Sequence, residues 1–80
     1  MNVYVVMVNP NDYDSSPYIL GVYLTKENAE QAIREMAIEQ GEPMLLLQKY
    51  FDVWENTECW NYPNEDNLSC YYVYEFEVNK

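Results

Sequence analysis

The strongest periodic signal in this chain is a single amphipathic helix, and its composition dictates what it must pack against. Ala29, Ala32, Ile33, Met36 and Ala37 recur at i, i+3, i+4, i+7 and i+8, which aligns them as one apolar stripe on a helix. Three alanines in that stripe let the helix approach its neighbour closely, as a helix lying on a sheet does. Thr25 is a good N-cap, Glu27 stands near the positive end of the helix dipole, and Gly41 followed by Pro43 supplies the stop. The spacing predicts a helix over 26–40. Its outer face then carries Glu27, Glu30, Arg34, Glu35 and one apolar residue, Ile38.

The segments around this helix supply the sheet. Residues 3–8 are apolar on both parities, as in a strand covered on two sides. Turn formers fill 9–17 and predict a loop, after which 18–24 read as a second, antiparallel strand with Gly21 marking a bulge or a close backbone approach. Over 43–55 period two fails, because Gln48 and Lys49 are adjacent polar residues and Tyr50 and Phe51 adjacent apolar ones. A helical template aligns Leu46, Leu47, Tyr50, Phe51 and Trp54 instead, predicting a short second helix with Trp54 against the core. Residues 56–69 read as an irregular segment into which Cys59, Trp60 and Tyr62 are set. The last strand, 71–78, alternates cleanly, with Tyr72, Tyr74, Phe76 and Val78 expected inward and Glu75 and Glu77 outward. These elements predict one α+β domain over 1–80, with β-β-α-α-β order: a three-stranded antiparallel sheet, its first strand central, and one long and one short helix on one face.

Composition limits the chemistry. The chain has 14 Asp and Glu, 4 Lys and Arg and no His, a formal charge of −10. Absence of His removes His-dependent triads and His-containing zinc sites. Few cations facing many carboxylates disfavour direct nucleic-acid binding, which draws on Lys and Arg. With 49% hydrophobic and 16% aromatic residues the chain has enough apolar mass to fold. No basic n-region and no long apolar run is present, so neither a signal peptide nor a membrane helix is expected, and a cytoplasmic location follows. Cys59 and Cys70 are too distant for CxxC chemistry and are expected as reduced thiols, with a single bridge between them as the less favoured alternative.

No residue is singled out as catalytic, since no carboxylate pair shows the spacing of acid–base work and neither cysteine has a basic cluster to activate it. Asp12 and Asp14, with Asn9 and Asn11, resemble half of a calcium loop but lack its glycine and distal Glu, so no metal or other cofactor is expected. The acidity has two readings. It can serve solubility alone. It can also form a partner-binding array that imitates phosphates, built from Glu27, Glu30 and Glu35 on the helix, Asp52, Glu55 and Glu58 after it, Glu65 and Asp66 in the irregular segment, and Glu75 and Glu77 on the last strand. Ile38, Trp60 and Tyr62 complete the candidate surface. The two aromatics are open to use either as binding anchors or as core caps.

The run Val3-Tyr4-Val5-Val6, the junction from Ile19 through Gly21-Val22-Tyr23-Leu24-Thr25 to Ala29, and the closing Tyr72-Val73-Tyr74-Glu75-Phe76 resemble small uncharacterised proteins common in bacteriophage genomes. The resemblance spans roughly the first 40 and the last ten residues, and 42–69 depart from it. In size and acidity the chain is also similar to phage anti-defence proteins, the anti-CRISPR and anti-restriction inhibitors. That resemblance implies a non-enzymatic inhibitor that acts in the host bacterial cytoplasm and occupies the nucleic-acid-binding surface of a defence nuclease or CRISPR effector. The alternative is an acidic interaction module or homodimer whose charge serves only solubility.

Overall fold

The computed structural model describes residues 1–10, 16–63 and 68–78. Strands β1 (Asn2–Asn9) and β2 (Tyr18–Tyr23) precede helix α1 (Lys26–Glu39). A single 3₁₀ turn, Met44–Leu46, then leads into β3 (Gln48–Asp52), β4 (Thr57–Asn61) and β5 (Cys70–Glu77). The five strands form one antiparallel sheet in the order β2-β1-β5-β4-β3. The expected three-stranded sheet with two helices is therefore replaced by five strands and one helix. The middle strand is β5 rather than the first, although β1 is interior too.

Helix α1 lies where its periodicity places it. Thr25 Oγ1 accepts from the Asn28 N–H at 3.1 Å, and Ala29, Ile33 and Ala37 are fully buried. The helix ends in a Schellman motif: Gly41, at φ +72°, donates to the Ile38 carbonyl at 3.0 Å, and Glu42 donates to that of Ala37 at 2.9 Å. That turn aims the Glu42 side chain back at the sheet. Its Oε1 accepts from the hydroxyls of Tyr71 (2.7 Å) and Tyr62 (3.1 Å), and its Oε2 accepts from the Ser69 N–H (3.2 Å). One carboxylate thus ties the helix terminus to the end of β4 and the start of β5. Burial, reinforced by the Glu42 charge, raises the pKa of both tyrosines, so they stay protonated donors.

The expected second helix over 43–55 is overturned by β3 and the hairpin that follows it. Asp52 Oδ1 accepts from the N–H groups of Trp54 (2.9 Å) and Glu55 (3.2 Å), and Asn56 adopts φ 55°. An Asx turn closed by a left-handed Asn reverses the chain where a helix would continue. β3 is an edge strand with neither face sealed, so period two is blurred: Lys49 lies over the Trp60 ring while Phe51 stays 52% exposed. Trp54, expected in the core, sits at the hairpin tip and is 94% exposed.

The expected irregular segment 56–69 contains β4, whose Trp60 is opposite Tyr71 and whose Cys59 is opposite Tyr72. The parity expected for β5 is also reversed. Tyr71 and Val73 join Val6, Val8, Ala29, Ile33, Trp60 and Tyr62 in the core beneath α1, while Tyr72, Tyr74 and Phe76 point to the other face. Glu75 shares the helix-side parity but lines a cleft beside Lys26 instead of lying under α1, which lets a carboxylate stand on that face. β2 bulges at Leu20, where Val6 faces Gly21 but Met7 faces Ile19. The Tyr23 ring lies close over Gly21, so a Cβ there would meet its hydroxyl at 2.7 Å.

Candidate functional site

The sheet has one helix and two faces, and among the described residues no helix or strand packs over the second face. Cross-strand pairing assigns Val3, Val5 and Met7 of β1 to that open face, with Tyr72, Tyr74 and Phe76 of β5 beside them. Cys59 and Tyr50 follow on β4 and β3, and Ile19 and Val22 on β2. Ile19, Val22 and Phe76 are each more than half exposed. The molecule exposes 5649 Å², about 10% more than a compact 9.6 kDa monomer. Five strands at their usual spacing make this face about 24 Å wide and about 25 Å long, or about 600 Å² in projection. That approaches the ~800 Å² each partner commits to a standard protein interface.

Polar chemistry on the open face is tyrosine hydroxyls, thiols and carboxylates. Tyr72 and Tyr74 stack with centroids 6.3 Å apart. The Tyr74 hydroxyl donates to Glu55 at 3.4 Å, and the Cys59 thiol donates to the Tyr50 hydroxyl oxygen at 3.4 Å. Burial raises the Cys59 pKa, and burial is also the leading cause of the upward shifts of Tyr72 and Tyr74, with Glu55 adding to the latter. Burial thus favours the protonated thiol. Cys59 and Cys70 are not joined by a disulfide. Among the described residues no group of acidic or cysteine side chains converges as metal ligands would, and no helix is long and apolar enough to cross a membrane.

Every described Lys and Arg side chain is engaged on the helix side. Lys26 pairs with Glu58, Lys49 lies 3.5 Å from Glu30 and 5.6 Å from the Trp60 ring centroid, and Arg34 lies 5.8 Å from the same centroid. The Glu58 contact raises the Lys26 pKa despite some opposing desolvation. A cleft of about 480 Å³ opens on this side, with Tyr4, Lys26, Phe51, Glu58 and Glu75 in its lining. The ion pair closes within it, leaving Lys26 spent on Glu58.

The carboxylates singled out from the sequence are divided among these surfaces. Glu27 and Glu35 are exposed on α1 and Glu30 is half-buried against Lys49, while Ile38 stands 61% exposed on the outer face. Glu58 and Glu75 flank the helix-side cleft, where Glu75 accepts from Asn2, and Glu77 is exposed at the end of β5. Asp52 has the opposite parity and, with Glu55, borders the open face. Trp60 and Tyr62 are buried, 9% and 3% exposed, and serve the core. Glu65 and Asp66, like Asp12 and Asp14, lie outside the described residues. Sequence reasoning missed Glu42, although a Glu fixed between the helix-stopping Gly41 and Pro43 in a tyrosine-rich chain was a signal for it.

A family model described as a domain of unknown function, DUF7336, matches residues 1–80. The chain belongs to this family. No curated protein and no solved structure matches it. The match spans the whole chain, so the open face and the helix lie within one family unit.

Proposed function

We propose that this domain is a non-enzymatic binding protein that docks its open, tyrosine-rich sheet face onto a basic, nucleic-acid-binding surface of another protein and thereby inhibits it. The observation that carries the reading is the segregation of side chains across the sheet. One face collects exposed apolar and tyrosine residues rimmed by Asp52 and Glu55, and all described Lys and Arg side chains are engaged on the other. Tyrosines bury much area at low entropic cost, and the net charge of −10 steers a basic partner toward the surface. Two copies placed face to face would bring no such opposite charges together, so a second copy is the less favoured occupant. A phosphate-mimicking array receives less support than docking, because Glu30 and Glu58 are already paired with lysines and Asp52 lies across the sheet from Glu58.

The class of target follows the resemblance to phage anti-defence proteins: a defence nuclease or CRISPR effector of a bacterial host, met in its cytoplasm. The test is affinity capture from a bacterial lysate with the tagged domain, washed at low and high salt and repeated after nuclease treatment. Recovery of a nucleic-acid-binding protein that salt releases and added DNA or RNA competes away supports the proposal. Recovery of the domain alone, or of a salt-resistant partner indifferent to nucleic acid, sinks it.

A further inference from the structure

We infer that the open face carries a pocket for one arginine side chain, a notch lined by Tyr72, Tyr74 and Glu55. The inference rests on the docking reading above and names the contact that anchors the partner. The notch has a volume of about 170 Å³, and Met7, Val8, Asn9 and Pro17 complete its wall. That is room for about five waters, hence for one extended side chain, and well below the ~300 Å³ at which small-molecule pockets begin. Two stacked phenol rings offer an electron-rich wall to a cation. The Glu55 carboxylate, held by the Tyr74 hydroxyl at 3.4 Å, supplies the counter-charge at a fixed position. Asp52 follows on the same side and anchors the turn that presents Glu55. A planar guanidinium can stack on a ring and bond a carboxylate in the same pose, while an ammonium ion makes only the point contact and surrenders a tighter hydration shell. No described Lys or Arg on this face competes for the site. The helix-side cleft differs in that Lys26 already occupies its Glu58.

The test is an NMR titration of the full chain with acetyl-Leu-Arg-Leu-amide and with its lysine and citrulline counterparts, read on the ring resonances of Tyr72 and Tyr74. The arginine peptide is expected to shift both rings saturably. The lysine peptide should bind about 3-fold more weakly, and the uncharged citrulline peptide about 10-fold more weakly. Glu55→Gln, at an exposed position, should cost about 5-fold in affinity for the arginine peptide. Tyr74→Leu should cost at least as much, while Tyr74→Phe, which keeps the ring but releases Glu55 from the hydroxyl, should cost less than Tyr74→Leu. Equal binding of the arginine and citrulline peptides, no ring shifts with any peptide, or indifference to Glu55→Gln would overturn the pocket. If the rings stay silent but lysate capture still yields a salt-released, nucleic-acid-competed partner, the pocket fails and the docking face stands. If capture fails while the arginine peptide binds as expected, the docking reading fails by itself.

Discussion

Removing the Glu42 carboxylate should loosen the whole domain, because three donors from the end of β4 and the start of β5 converge on it. Glu42→Ala deletes the acceptor of the Tyr62 and Tyr71 hydroxyls and of the Ser69 N–H. Hydrogen bonds to a charged group contribute about 1.5–3 kcal/mol each, and the buried donors left behind carry a desolvation cost. Tyr71 is fully buried and Ser69 3% exposed, so water can replace little of what is lost there. Glu42 itself is only half-buried, which argues for the low end of each value. The expected loss is about 4.5 kcal/mol, or about 20–35 °C in Tm for a domain of this size. Glu42→Gln keeps an acceptor for the hydroxyls but sets an amide NH₂ against the Ser69 N–H, and should lose about half as much. Thermal and urea unfolding followed by circular dichroism measure both, and a cycle with Tyr71→Phe should return a coupling of about 1 kcal/mol or more. A Glu42→Ala protein that unfolds cooperatively within about 5 °C of the parent would refute the clamp.

Other expectations concern the same framework. Tyr62 and Tyr71 have folded pKa values above the unfolded value of about 10, so the unfolded chain releases their protons first; the stability they contribute is full below about pH 10 and is lost as pH rises toward the folded values. Alkaline unfolding followed by circular dichroism should therefore begin above about pH 10, with Tyr71→Phe shifting that onset upward. Gly41→Ala forces a Cβ into the left-handed region at φ +72°, with nothing nearby to clash, and should cost about 1–2 kcal/mol by chemical denaturation. Trp54→Ser, at a 94% exposed hairpin tip, should leave stability within about 0.5 kcal/mol; a large loss would restore the helical packing expected from the sequence.

What could be read ahead of the structure divides along physical lines. Helix α1 was legible because cap, stripe and stop agree, and each signal is local: Thr25, the alanine-rich stripe and Gly41. β1 and β2 were legible because their apolar runs are bounded by turn formers. β3 and β4 were not, because an edge strand with two partly wet faces loses its alternation, and the Asx turn at Asp52 with left-handed Asn56 was outweighed by an accidental helical match of Leu46, Leu47, Tyr50, Phe51 and Trp54. On β5 the alternation was real but its direction was misread. A central strand can hold apolar residues on both faces, and only the position of α1 decides that Tyr71 and Val73 are inside while Tyr72 and Tyr74 line an open surface. That open surface could not be read locally, since it is defined by the absence of a covering helix or strand among the described residues.

The central claim is that the open sheet face, and not the acidic outer face of α1, meets the partner. The most direct measurement compares capture of the salt-released partner by three proteins of matched stability: the parent, an Ile19→Lys/Phe76→Lys variant, and a Glu27→Gln/Glu35→Gln variant. The substituted positions are all exposed, so each variant is expected to fold, with Tm as the check. The account predicts that two lysines on the open face abolish capture by the basic partner while the helix variant retains it, with at most a slower association rate. Retained capture by the Ile19→Lys/Phe76→Lys protein, with loss in the Glu27→Gln/Glu35→Gln protein, would contradict it and move the interface to the helix.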